Sequence, residues 1–239
     1  MIKEIINKIL QITTVFCDKI KIILPKSNLG QRTTSAIILL ILTIYAIYFS
    51  ESLFSLLLIA VTIIITFEWL DIIKEAKNTN KWRLIGFFYI SIPIWSIAQI
   101  RAIDPNILLW MFFVIWATDI SAYFIGKSFK GPKLMPQISP NKTWSGLIGG
   151  VISSGIIGFM SSFLFANGDI VFFIIISMIL ACLEQAGDLI ESKIKRIFNV
   201  KDSGSLIPGH GGILDRIDGI TLVAPIVLIL STLFSYKFY

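Results

Sequence analysis

Apolar residues in this chain come in long runs rather than in strict alternation. They occupy about 33–50, 52–70, 84–100, 107–125, 145–166, 170–190 and 219–236, and short blocks between them hold most of the charge. A helix rises about 1.5 Å per residue, so runs of this length, with their flanks, cross the roughly 30 Å hydrocarbon layer of a bilayer. The pattern predicts an all-α, polytopic integral membrane protein with about seven transmembrane helices. Only Glu51 and its neighbours part the first two runs, so one of them is alternatively re-entrant.

Charge adds an orientation. The connecting segments 1–32, 71–83, 126–144 and 191–218 fall on one side of such a span set and hold 19 of the 21 lysines and arginines, leaving Arg101 and Lys237 opposite. Positive charge collects on the cytoplasmic side of membrane proteins, which predicts a cytoplasmic amino terminus and an inner (cytoplasmic) membrane location. Residues 1–32 mix apolar positions with six basic ones and show no apolar core followed by a cleavage site. They read as an amphipathic basic segment lying on the membrane, with 33–239 as a single membrane-embedded catalytic domain. The net charge of +6 has the same topological explanation and does not call for nucleic acid.

Composition limits the metal chemistry. One histidine, His210, and two distant cysteines, Cys17 and Cys182, exclude a multi-histidine centre, a zinc cluster and a disulfide framework. Oxygen ligands remain, and these suit hard ions such as magnesium.

Several acids lie where lipid is expected. Asp119 falls about six residues, roughly 9 Å, inside the end of its apolar run; it serves either as a packing contact or as a cation or substrate contact. Glu184, Asp188 and Glu191 share one helical face at i, i+4 and i+7, where like charges need protons or a cation among them. Asp215 and Asp218 stand one turn apart at the start of the last run, and Asp218 is equally explained as a helix cap. Asp188 and Asp215, from separate segments, are the pair expected to hold a magnesium ion with positions open to phosphate oxygens.

Two basic, turn-rich segments supply the phosphate side. In SPNKT, Ser139 to Thr143, a proline turn leads to a helix start whose free amides, with Lys142, form an anion seat that Thr143 or Asn141 caps. In KDSGSLIPGHGGILDRID, Lys201 to Asp218, the glycines let backbone amides approach a ligand while Lys195, Arg196, Lys201 and Arg216 neutralise phosphate. His210 is a general acid, a phosphate donor or a packing residue.

The run from Ser192 to Asp218 resembles the signature of phosphatidate cytidylyltransferases: Ser192, the Lys195-Arg196 pair, the Lys201-Asp202 pair, His210-Gly211-Gly212, then Asp215-Arg216 and Asp218. DISAYFIGKSF from Asp119, SPNKTWSG from Ser139 and QAGDLIES before the signature follow that family's order, so the likeness covers about 117–219. One departure is Ser145, where many relatives carry an acid. The resemblance implies transfer of CMP from CTP to phosphatidate with release of diphosphate, dependent on Mg2+ and in some members a second cation such as K+. It implies metal contacts at Asp188, Asp215, Asp218 and Asp119. It adds catalytic roles for Asp188, Asp215, Lys201, His210 and Arg216, and substrate contacts at Ser139, Lys142, Thr143, Ser192, Lys195, Arg196, Gly211 and Gly212. Expected partners are CTP arriving from the cytosol, phosphatidate entering sideways from the lipid, and membrane lipid itself, with a homodimer as a further candidate and no nucleic acid. Rival readings are a CTP-using polyprenol or phytol kinase, disfavoured by the HGG-to-DRxD spacing, and a transporter, disfavoured by the few polar residues in 84–100 and 145–166.

Overall fold

The computed structural model describes residues 40–166, 168–204 and 212–238. The chain divides into two units, 1–44 and 45–239. The amphipathic segment expected at 1–32 lies outside the described residues, as do His210 and Gly211.

The described elements are α1 (Leu40–Phe49), α2 (Glu51–Ile72), α3 (Thr79–Ile103), α4 (Pro105–Phe129), β1 (Lys133–Met135), β2 (Ser139–Thr143), α5 (Trp144–Ser162), α6 (Ile170–Ile197), α7 (Leu214–Ile217) and α8 (Ile220–Leu233), then a 3₁₀ turn at Ser235–Lys237. Six spans are long and apolar enough to cross a membrane: α2 to α6, and Leu214–Leu233, which joins α7 to α8. The short apolar α1 is the described part of the first expected run. The protein is therefore an all-α, multi-pass membrane protein. Its outward side chains, among them Leu56, Ile59, Phe87, Trp95, Ile152 and Phe163, are large, apolar and exposed, as a lipid-facing surface requires.

Helix starts follow local chemistry. Ser50 caps α2 by accepting from the Leu53 amide, Asp104 caps α4 ahead of Pro105 at the first position, and Asp169 accepts from the Phe172 amide at the start of α6. In the interior, α5 packs along both α4 and α6. Small residues allow this: a methyl group added to Gly158 would stand 2.3 Å from the Phe173 carbonyl oxygen of α6. The main core joins Trp110, Met111, Val114, Phe173, Leu180, Val223 and Val227.

Two segments differ from the expected connectors. Residues 126–144 are not simply a loop: α4 continues to Phe129, and β1 and β2 form an antiparallel hairpin pairing Lys133 with Thr143 and Met135 with Ser139. The polar segment expected from 191 begins only after Ile197, because α6 runs on for two more turns. Glu191, Ser192, Lys195 and Arg196 are thus helical and arrayed at a fixed spacing.

Candidate active site

The site grows from the final turns of α6. With 28 residues the helix is about 42 Å long, so it outruns the hydrocarbon layer and carries its polar face beyond the apolar packing. Glu184, Gln185, Gly187 and Glu191 are buried on that face. Gly187 lets the start of the last span come within backbone contact, since a methyl group there would lie 2.7 Å from the Asp218 carbonyl oxygen. This approach delivers Asp218 to α6. Asp188, Glu191 and Asp218 then offer one carboxylate oxygen each, all within 4.8 Å of one another.

Cations and amides surround these acids. Lys142, from the end of β2, forms an ion pair with Asp188 and donates to Gln185 Oε1 at 2.9 Å, and Gln185 in turn donates to Glu184 Oε2 at 2.9 Å. Asp119 of α4 is in direct side-chain contact with Glu184 and feels the charge of Arg216. Lys195 lies between Glu191 Oε2 and Asp215 Oδ1, 2.7 Å from each. Six carboxyl groups, Asp119, Glu184, Asp188, Glu191, Asp215 and Asp218, therefore gather around three basic side chains, Lys142, Lys195 and Arg216. That imbalance calls for protons or a further cation.

Two groups at this site lack the hydrogen bonds that buried polar atoms normally make. Glu191 is 2% exposed, and beyond its ion pair with Lys195 neither carboxylate oxygen has a hydrogen-bond partner among the described residues. The Tyr89 hydroxyl of α3 is buried, and among the described residues only the Thr221 side chain stands beside it, while Glu191, Asp218 and Asp188 act on it. Thr221 sends its own proton to the Asp218 carbonyl at 2.6 Å. All-oxygen donors in a closely spaced set, with buried lone pairs unspent, fit a hard divalent cation.

Of the residues expected from sequence, the structure gathers Asp119, Asp188, Asp218, Lys142, Lys195, Arg216 and Ser192, whose hydroxyl donates to Asp188 Oδ1 at 3.2 Å. Asp215 differs from the expected partner of Asp188. Its oxygens accept from Lys195 and from the backbone amides of Ser203 (3.0 Å) and Gly212 (2.9 Å), so it ties together the two ends of the 204–212 segment. Glu191 takes its place in the group of three.

Thr143 is buried as the cap of α5, accepting from Gly146 N at 3.1 Å, and Trp144 N donates to the Pro132 carbonyl. Two amides of the expected anion seat are thus used within the chain. Arg196 reaches the carbonyls of Ile138 and Val200, which ties the hairpin to the end of α6, and Ser139 sits in β2 opposite Met135. Lys201 is exposed just beyond α6, and Gly212 is buried. Ser145, the departure noted in the sequence, donates to the Lys130 carbonyl.

Sequence reasoning passed over Tyr89 and Glu68. Glu68 had a legible signal: it is a lone acid in the run 52–70. Tyr89 had none, since an aromatic residue in an apolar span ordinarily packs.

The model of the cytidylyltransferase family matches residues 82–234. The phosphatidate cytidylyltransferase of Rickettsia felis is 41% identical over 219 residues, covering 87% of this chain and 94% of the relative. That of Rickettsia typhi is 42% identical over 212 residues, covering 84% and 91%. That of Brucella abortus is 38% identical over 167 residues, covering 69% and 62%.

Proposed function

We propose how the site works from one premise: the chain belongs to the cytidylyltransferase family and is a nucleotidyltransferase that makes CDP-diacylglycerol and diphosphate from CTP and phosphatidate. The observation that carries the site reading is the Asp188, Glu191 and Asp218 group, in which the buried oxygens of Glu191 have no donor but Lys195 among the described residues. These three residues would hold Mg2+, with Asp119 and Glu184 extending the negative wall. When bound there, the ion supplies charge neutralisation at phosphate oxygens.

An oxygen of the lipid phosphate attacks the α-phosphorus of CTP; the new P–O bond forms as the bond to the β-phosphate oxygen breaks, and diphosphate leaves with that electron pair. The attacking oxygen is already ionised at neutral pH, so the chain need not supply a strong base, and rate comes from alignment and charge. Lys142 stands at Asp188 with its ammonium fixed by Gln185, which positions a permanent positive charge for the developing charge on phosphate. Arg216, Lys201 and Arg196 supply further positive charge for the diphosphate. Lys195 keeps Glu191 and Asp215 in register. Asp215 holds Ser203 and Gly212 together, and with them the ends of the segment that carries His210. The buried Tyr89 hydroxyl, with only Thr221 beside it among the described residues, would donate to a bound phosphate or water.

The basic connectors lie at the acid-bearing end, which favours a cytoplasmic active site in the inner membrane, with CTP coming from the cytosol and phosphatidate from the lipid. The test is turnover in detergent with labelled CTP, phosphatidate and Mg2+. Labelled CDP-diacylglycerol with matching diphosphate is expected. A folded preparation yielding neither contradicts the function.

A further inference from the structure

Glu68 lies in α2, one turn from its end and outside the 82–234 stretch matched by the family. It is 8% exposed, against an apolar cluster of Ile65, Trp69, Ile72, Ile90 and Leu214. A carboxylate in such surroundings persists only where hydrogen bonds replace its water. Among the described residues, its donors come from the far end of the sequence: Ile213 N to Oε1 at 2.9 Å, Leu214 N to Oε2 at 2.8 Å and Ser203 Oγ to Oε2 at 3.1 Å.

These partners identify what the carboxylate does. The short helix α7 has no capping side chain of its own at Ile213, and Glu68 accepts from its first amides in that role, reaching in from another helix. The fit is close. A methyl group added to Gly212 would lie 2.7 Å from Glu68 Oε2, and one added to Gly204 would lie 2.7 Å from Oε1. These two glycines are explained by backbone approach to Glu68 rather than to a ligand.

α7 carries Asp215 and Arg216 and leads directly into Asp218, so its rotation about its own axis decides where those side chains point. Two carboxylates grip its base from different directions, Glu68 through Ile213 and Leu214, and Asp215 through Gly212 and Ser203. We infer that Glu68 is a positioning residue for the transfer reaction: by capping α7 from α2 it holds Asp218 in place beside Asp188 and Glu191. This rests on the proposed role of that carboxylate group.

The test uses the full chain in detergent carrying Glu68→Gln or Glu68→Asp, with three readouts. They are hydrogen exchange at the amides of Ile213 and Leu214, Mn2+ affinity by electron paramagnetic resonance without substrate, and kcat. Gln presents an NH2 where one oxygen accepted, so exchange at those amides should quicken, Mn2+ binding should weaken and kcat should fall, each by about tenfold or more, in protein that still elutes as a folded monodisperse species. Asp keeps the charge but is one methylene shorter, and should recover part of all three. Exchange and Mn2+ affinity within twofold of the parent in Glu68→Gln would overturn the inference. If that variant does not fold, parent-like exchange and Mn2+ affinity in Glu68→Asp would overturn it equally. A parent that binds no Mn2+ defeats the metal reading instead. Glu68 is then judged on exchange and kcat, and faster exchange with unchanged kcat counts against it.

Discussion

The two ends of the helix set are built to opposite rules. Near the start of α4 and α6, Trp110, Phe165, Phe172, Phe173 and Phe238 interlock, with Phe165 stacked on Phe173 at 4.8 Å and Trp110 edge-on to Phe173 at 5.1 Å. The one polar side-chain atom among these five rings, Trp110 Nε1, donates to Ser177 Oγ at 2.9 Å. Fifteen residues beyond Phe173, about 22 Å along α6, stands Asp188 among carboxylates that outnumber the nearby bases. There, among the described residues, the Glu191 oxygens have no donor beyond Lys195 and the Tyr89 hydroxyl has only Thr221 beside it. A region that serves only stability satisfies its polar atoms, whereas unspent buried lone pairs mark where a ligand belongs.

Substitutions at the two ends should therefore separate activity from stability. The largest effect is expected for Asp188→Asn, which removes a charge from the group of three and frees Lys142: turnover should fall by about 100- to 1,000-fold. The melting temperature in detergent should stay near that of the parent. Trp110→Ala should do the reverse, costing about 3–5 kcal/mol of stability through the cavity it leaves, with near-normal turnover per folded molecule at low temperature. A large loss of turnover per folded molecule in that variant would erase the contrast. Tyr89→Phe keeps the ring and removes the unpaired hydroxyl, so turnover should drop by about tenfold and stability should hold or rise slightly. Unchanged kinetics would return Tyr89 to packing.

The smallest effect is expected at Asp169, where Lys237 closes the polar rim of the aromatic end. The hydrogen bond from Lys237 holds the Asp169 carboxyl below its ordinary value, and the same bond raises Lys237. The stabilisation is thus fully present above the ordinary carboxylate range and is lost as pH falls through the lowered Asp169 value; at the alkaline limit it is lost as pH rises through the raised lysine value. Asp169→Asn should lower the melting temperature by about a degree or two at neutral pH, with the difference closing at acid pH. A difference that persists there would point to the helix cap on Phe172 rather than the ion pair.

Much of this contrast was legible in the residues. The apolar runs located four of the six long spans to within two residues at their starts and the other two, Thr79–Ile103 and Leu214–Leu233, five residues late, and the i, i+4, i+7 spacing of Glu184, Asp188 and Glu191 placed them on one face. The end of α6 lies beyond the expected 190 because the charges that follow do not break the helix: Glu191 and Lys195 are an i, i+4 pair that extends it. Asp215 is expected from sequence to join Asp188 as a carboxylate from a separate segment; the hydrogen bonds it accepts from Ser203 and Gly212 depend on a chain reversal that the sequence pattern does not encode. Glu68 lies 135 residues from Ser203, and no local pattern relates the two.

The central claim is that Asp188, Glu191 and Asp218 hold the divalent cation of the transfer reaction. Its most direct test is Mn2+ titration of the purified full chain, followed by electron paramagnetic resonance, in the parent and in Glu191→Gln. The account predicts saturable Mn2+ binding by the parent, competed by Mg2+, and at least about tenfold weaker binding in the variant at an unchanged folded fraction. Equal Mn2+ affinity in both would contradict it and move the metal away from Glu191.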